Sequence, residues 1–215
     1  MKILVLAAHP DDETLGCGGT IARLTSEGHQ VHLLTFTDGI GARLVGDRRQ
    51  SVEEVSEILG ISSFRSLSFP DNKMDTVSLL SVVKEIESFV EKNNILPDWV
   101  LTHSPECLNI DHKVVYNATM TAFRGMKKFN PIKIMCYEVP SSSEWNPVKN
   151  FRPNFYIDIT NFYDKKIEAL NVYEDEMRNH PHPRSFKNID AITTTTGSEV
   201  GFERAEKFMI VRETL

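Results

Sequence analysis

Cysteine is scarce in this chain: Cys17, Cys107 and Cys136 are three in 215 residues, an odd number with no pair at zinc-finger or redox spacing. A disulfide framework is thereby excluded, and buried reduced thiols are expected. Long apolar runs are missing too, so no segment can span a bilayer. The run Ile3 to Ala8 after Met1-Lys2 is too short for a secretory signal and leads straight into an acidic stretch. No membrane insertion and a cytoplasmic location are the expectations. Nor is there an excess of basic charge. With 24 Lys and Arg against 30 Asp and Glu the net charge is −6, which leaves no electrostatic footprint for nucleic acid or an anionic membrane. What remains is small-molecule chemistry in a soluble protein. A length of 215 residues buries a sizeable core without staples, and one domain over 1–215 is expected.

The stretch Ala8-His9-Pro10-Asp11-Asp12-Glu13 stands out. Lys2 to Ala8 reads as a continuously apolar, buried strand, and Thr14 to Glu27, with Gly28 just past its end, reads as a helix. The three acids therefore sit in a βα turn, at the sheet edge where open α/β folds bind ligands. Crowding them beside an imidazole costs repulsion that a cation such as zinc would relieve. The simpler reading is a helix cap by Asp12 or Thr14, with Asp11 and Glu13 complementing the helix dipole. Capping alone requires only one carboxylate.

Strands and helices then alternate. Gln30 to Thr37 is a strand broken by Asp38-Gly39-Ile40-Gly41, and a charged loop through Arg43, Asp47, Arg48 and Arg49 enters a helix with the stripe Val52, Val55, Ile58, Leu59. Phe64 to Phe69 is a third strand, Val77 to Val90 a helix, and Trp99 to Thr102 a fourth strand ending at His103-Ser104-Pro105. Asp111-His112 starts the next helix. This alternation predicts an α/β, Rossmann-like three-layer sandwich with a mostly parallel central sheet, its core spanning 1–130. In strand order 3-2-1-4-5 the first and fourth strands are neighbours, so His9, Asp12 and His112 converge at the switch point. Alone, His112 reads as well as a cap or a core histidine.

The remainder, 131–215, is expected to complete the site. Lys133 to Val139 and Phe155 to Ile159 read as strands, Pro140 to Pro147 as a long polar loop carrying Trp145, and Phe162 to Met177 as one helix. His180-Pro181-His182-Pro183-Arg184-Ser185 is fixed by its prolines and suits a rigid lip facing substrate or partner. A solvated linker is the alternative. Thr193 to Thr196 is brief and β-prone.

Together, His9-Pro10-Asp11-Asp12-Glu13 and Asp111-His112 closely resemble the LmbE-like, or PIG-L, family of zinc-dependent N-deacetylases. The resemblance extends through Thr37-Asp38-Gly39, Arg49 before the helix ending Leu59-Gly60, and Tyr137-Glu138-Val139-Pro140-Ser141-Ser142, covering nearly the whole chain. It implies hydrolysis of an N-acetyl group on an amino sugar, nucleotide sugar or glycoconjugate. By motif position His9, Asp12 and His112 ligate Zn2+ and Asp11 is the general base; Arg49 and Asn109 are candidates to contact substrate. Glu13 could orient a ligand from outside the metal's own shell. Many members carry a histidine where this chain has Asn109, and an amide donates a hydrogen bond but cannot shuttle a proton. His182 is the candidate to replace it, with Arg184 holding an anionic substrate group. The lip would reach the crevice of its own chain or, in a homo-oligomer, a neighbour's. Two other readings are a dinucleotide-binding oxidoreductase, from Gly16-x-Gly18-Gly19 with Asp38 about 20 residues on, and a zinc- or sugar-binding protein without turnover.

Overall fold

The computed structural model describes residues 1–39, 48–125, 130–146 and 151–214. Arg43, Asp47 and Pro147 lie outside the described residues. Among the described residues seven strands form one sheet: β1 (Lys2–Ala7), β2 (Gln30–Thr35), β3 (Ser63–Ser66), β4 (Trp99–His103), β5 (Lys133–Tyr137), β6 (Phe155–Asp158) and β7 (Ala205–Glu213). Their order is β3-β2-β1-β4-β5-β7-β6. The first five are parallel, with Ile3 opposite Val31 and Val5 opposite Leu101, and β7 runs antiparallel to both β5 and β6. The helices are α1 (Asp12–Ser26), α2 (Arg49–Leu59), α3 (Leu79–Lys92), α4 (Ile110–Ala122), α5 (Tyr163–Val172) and α6 (Phe186–Val200). None among the described residues is long and apolar enough to cross a membrane.

The two-residue period of β1 divides the core. Ile3, Val5 and Ala7 pack with α1, α2 and α5 through Ile21, Val55 and Leu170, whereas Leu4, Leu6 and Ala8 pack with α3 and α4 through Ile86 and Val115. Three layers result, as in a Rossmann-like sandwich. Gly16, Gly18 and Gly19 lie inside α1 rather than in the turn before it, where a dinucleotide fingerprint needs them. Their role is packing: a Cβ on Gly16 would fall 2.3 Å from the Tyr137 ring, and one on Gly19 2.8 Å from Ile159.

Helix α1 kinks at Cys17 (φ −147°, ψ 23°). The kink leaves backbone donors without intrahelical partners, and Glu206 of β7 accepts them from Gly19 at 3.1 Å and Thr20 at 2.7 Å. Lys166 Nζ completes the device, 2.6 Å from Glu206 and 2.9 Å from the Leu15 carbonyl, with both charges buried.

The C-terminal part differs from the sequence expectation. Phe162 to Met177 is α5 flanked by 3-10 turns at Thr160–Phe162 and Glu174–Glu176. The β-prone threonines lie in α6, which Ser185 caps by accepting from Asn188 N and Gly201 ends in a left-handed conformation. Its buried stripe of Ile189, Thr193, Thr196 and Gly197 has helical spacing, so packing overrides β propensity.

Candidate active site

Because β1 and β4 are adjacent, the turns at their carboxyl ends meet. His9 Nδ1, Asp12 Oδ2 and His112 Nε2 lie 3.1, 3.2 and 3.3 Å from one another. Three ligands on one face of a tetrahedral zinc, at the usual bond lengths, stand about 3.3 Å apart. Asp12 Oδ1 is buried and has no hydrogen-bond partner among the described residues. Both observations fit a divalent cation on these three side chains, and two imidazoles with one carboxylate are a zinc donor set.

The two imidazoles of this cluster are held from behind. His9 Nε2 faces Asp111 Oδ2 at 3.0 Å and Asp71 Oδ1 at 3.1 Å. Asp111 also accepts the backbone N–H groups of Asn72 (2.7 Å) and Met74 (2.9 Å), which fixes the loop after β3. His112 Nδ1 meets Cys107 Sγ at 3.1 Å, and the ring stacks on buried His103 at 3.8 Å between centroids. His103 Nε2 accepts the Ala8 N–H at 2.8 Å. Burial and then the charge of His112 hold its pKa well below the ordinary value, so it stays neutral. For His112, burial is outweighed by the Asp12 carboxylate, and its pKa rises to about 9.

Asp11 occupies the N-cap position of α1, yet its side chain does not cap the helix. Its φ of 115° lies in the region that a side chain rarely adopts. Glu13 holds this conformation by accepting the Asp11 N–H at 3.2 Å, while Thr14 and Tyr173 donate to its other oxygen at 2.8 and 3.0 Å. Burial pushes the Glu13 carboxyl up to about 7 against these bonds. Asp11 Oδ2 takes a 2.7 Å ion pair from Arg184, and its buried Oδ1 has no partner among the described residues. Burial raises its pKa to about 7; Arg184 opposes the rise, and the charges of Asp12, Glu176 and Glu13 add to it.

These residues open into a cleft of about 450 Å³, within the size of small-molecule sites. The family described as "PIG-L: GlcNAc-PI de-N-acetylase" matches residues 4–123, more than half of the chain. The chain belongs to the PIG-L family. The Escherichia coli K12 protein described as "Uncharacterized deacetylase YaiS" is 30% identical over 178 residues, 80% of this chain and 90% of its own. A "Probable N-acetyl-alpha-D-glucosaminyl L-malate deacetylase 2" of Bacillus cereus is 27% identical over 207 residues, 89% of this chain and 91% of its own. A solved structure of a conserved protein from Thermus thermophilus superposes with a TM-score of 0.81 at 25% identity, covering 99% of this chain and 96% of its own. Membership of the PIG-L family makes the chain an amide hydrolase of the deacetylase class.

Within this PIG-L site the other expected residues are placed unequally. Asn109 lines the cleft, caps α4 by accepting the Asp111 N–H at 2.8 Å and donates to Asn72 Oδ1 at 3.2 Å. His182 lines it too, its ring 5.3 Å from that of Trp145 and its Nδ1 accepting from Arg184 N at 3.1 Å. Burial, then Arg184 and Arg178, lower its pKa. Arg184, the candidate for an anionic substrate group, lines the cleft with its guanidinium on Asp11, Ser141 Oγ (2.8 Å) and Glu176 (3.5 Å). Arg49 is half exposed and reaches Asp38 at 3.8 Å, whereas Arg48 lines the cleft and grips Asp175 and Glu176. The helical phase carried that distinction: Arg48 falls in register with Val52, Val55 and Leu59, and Arg49 does not. The bond from Asp111 to His9 joins positions 102 apart and had no local signal.

Proposed function

We propose that this cleft removes the acetyl group from an N-acetylated amino sugar in a glycoconjugate, with zinc held by His9, Asp12 and His112. The carrying observation is the triangle of ligand atoms with sides of 3.1 to 3.3 Å, beside a carboxylate that does not cap its helix. An acetamide is a poor electrophile, and zinc in such a site supplies Lewis-acid polarisation of the carbonyl and a lowered pKa for water. The chain's own groups do the rest. Asp111 and Asp71 fix the tautomer of His9 so that Nδ1 faces the ligand triangle. Asp11, one residue from a ligand, takes a proton from the attacking water and returns it to the departing amine. Arg184 holds the Asp11 carboxylate in place for both transfers. His182, in the cleft lining, hydrogen-bonds the substrate and stands in for the histidine replaced by Asn109. Asn109 donates to the sugar, and Arg49 has a lesser part from outside the cleft.

The test is release of free amine from N-acetylated sugars by zinc-loaded protein, with Asp11→Asn as the control that keeps metal and fold. Activity falling roughly 100-fold or more in that variant supports Asp11 as base. A rate near wild type contradicts it.

A further inference from the structure

Two apolar residues of the cleft lining take no part in the reaction described above: Trp145, 58% exposed, and Leu108, 49% exposed. Large apolar side chains clustered at the mouth of a polar cleft mark a contact surface. The two loops that carry them, between β4 and α4 and after β5, are tied to each other: Leu108 N–H donates to Ser142 O at 3.1 Å, and Asn146 Nδ2 to Glu106 O at 2.6 Å. Ser141 N–H donates to Glu144 at 2.6 Å, closing the turn on itself. Trp145 and His182 stand edge to face, at 85° between ring planes. The platform is therefore preorganised, and little ordering entropy is lost when a ligand settles on it.

Charge narrows what that ligand is. Arg48, Arg178 and Arg184 line the cleft against Asp11, Asp71 and Glu176, three cations to three anions. Two of the guanidinium groups are also committed: Arg48 holds Asp175 at 2.6 and 2.9 Å and Glu176 at 3.0 Å, and Arg184 holds Asp11 at 2.7 Å. Arg178, its side chain 45% exposed, donates to the backbone carbonyls of Asp175 and Met177. A phosphate or pyrophosphate on Arg48 or Arg184 would have to break their ion pairs. A pyranose ring needs no such exchange: its C–H face covers an indole, and its hydroxyls bond to neutral donors and acceptors such as His182 and Asn109.

We infer that Trp145 and Leu108 form a second-ring subsite, and that the substrate is an uncharged glycoside of at least two pyranose rings. The acetylated ring lies at Asp11 and the next ring stacks on Trp145; this ordering rests on the deacetylase reading above. The chain has two tryptophans, so Trp99→Phe makes Trp145 the only indole emitter. The zinc-loaded Trp99→Phe/Asp11→Asn protein is titrated with N,N'-diacetylchitobiose, N-acetylglucosamine and UDP-N-acetylglucosamine, following emission and, in parallel, calorimetry. The disaccharide shifts the emission and binds roughly three- to tenfold more tightly than the monosaccharide. By calorimetry, adding Trp145→Ala removes that preference, and Trp145→Phe keeps part of it. Equal affinity for one ring and two overturns the proposal, as does tighter binding of the nucleotide sugar. So does a Trp145→Ala protein whose oligomeric state changes while its sugar affinities do not, because the indole is then a subunit contact. Amine release by the wild type is scored separately: disaccharide binding without turnover would contradict the hydrolase reading and leave the subsite standing.

Discussion

Arg184 and Asp11 are 173 positions apart in the chain, and they meet at 2.7 Å in the wall of the cleft. An aspartate at an N-cap ordinarily folds back onto the free N–H groups of its helix. Asp11 does not, because its backbone is held at φ 115° by Glu13 and its carboxylate is drawn outward by Arg184. The ion pair thus sets the direction of the proposed base.

From this contact it follows that Arg184→Ala lowers kcat roughly 10- to 100-fold, the scale for a displaced catalytic group, with KM little changed. Arg184→Lys restores part of the rate, since an ammonium keeps the charge but not the fork. The Asp11→Asn/Arg184→Ala double variant is scarcely slower than Asp11→Asn alone, because both act on one carboxylate. Steady-state kinetics decide the matter. A raised KM at unchanged kcat assigns Arg184 to substrate binding instead.

Asp111 should matter to the metal without touching it. It bonds the far nitrogen of His9 at 3.0 Å, so Asp111→Asn weakens zinc binding roughly 10- to 100-fold, as loss of such partners does elsewhere. Competition against a chromophoric chelator measures this, and a melting curve controls for the backbone bonds that Asp111 also makes to Asn72 and Met74. Unchanged zinc affinity rules out the orienting role.

The buried Lys166–Glu206 pair carries a stability prediction. Lys166→Ala strands Glu206 under the kink of α1 and costs about 3–5 kcal/mol. Lys166→Met with Glu206→Gln costs less than that single change, because no unpaired charge is left. Urea unfolding midpoints compare the two. A smaller loss in Lys166→Ala than in the double variant shows that the pair contributes little.

Much of this architecture was legible in the sequence, for identifiable reasons. The apolar runs of β1, β2, β4 and β5 and the turn residues between the elements predict a parallel sheet, and the adjacency of β1 and β4 brings His9, Asp12 and His112 together. The C-terminal part was less legible. Thr193 to Thr196 have β propensity, and only the Ser185 cap, Gly201 and the spacing of Ile189, Thr193 and Thr196 mark the helix. Strand β7 inserts between β5 and β6 and breaks chain order, which no local pattern announces. The contacts of Arg184 with Asp11 and Asp111 with His9 depend on tertiary placement, so neither had a signal of its own.

The proposed metal ligands separate by content rather than rate. His9→Ala, Asp12→Ala and His112→Ala each bind zinc weakly or not at all, whereas Asp11→Asn keeps about one ion per chain. Elemental analysis after gel filtration distinguishes them. Full zinc content in any of the three alanine variants removes that residue from the ligand set.

The most direct test of the central claim is one amine-release assay on N,N'-diacetylchitobiose before chelation, after removal of divalent metal, and after restoring zinc. The account predicts free amine and acetate in equal amounts, loss of release on chelation and recovery with zinc. Release that persists unchanged in metal-depleted protein would contradict it.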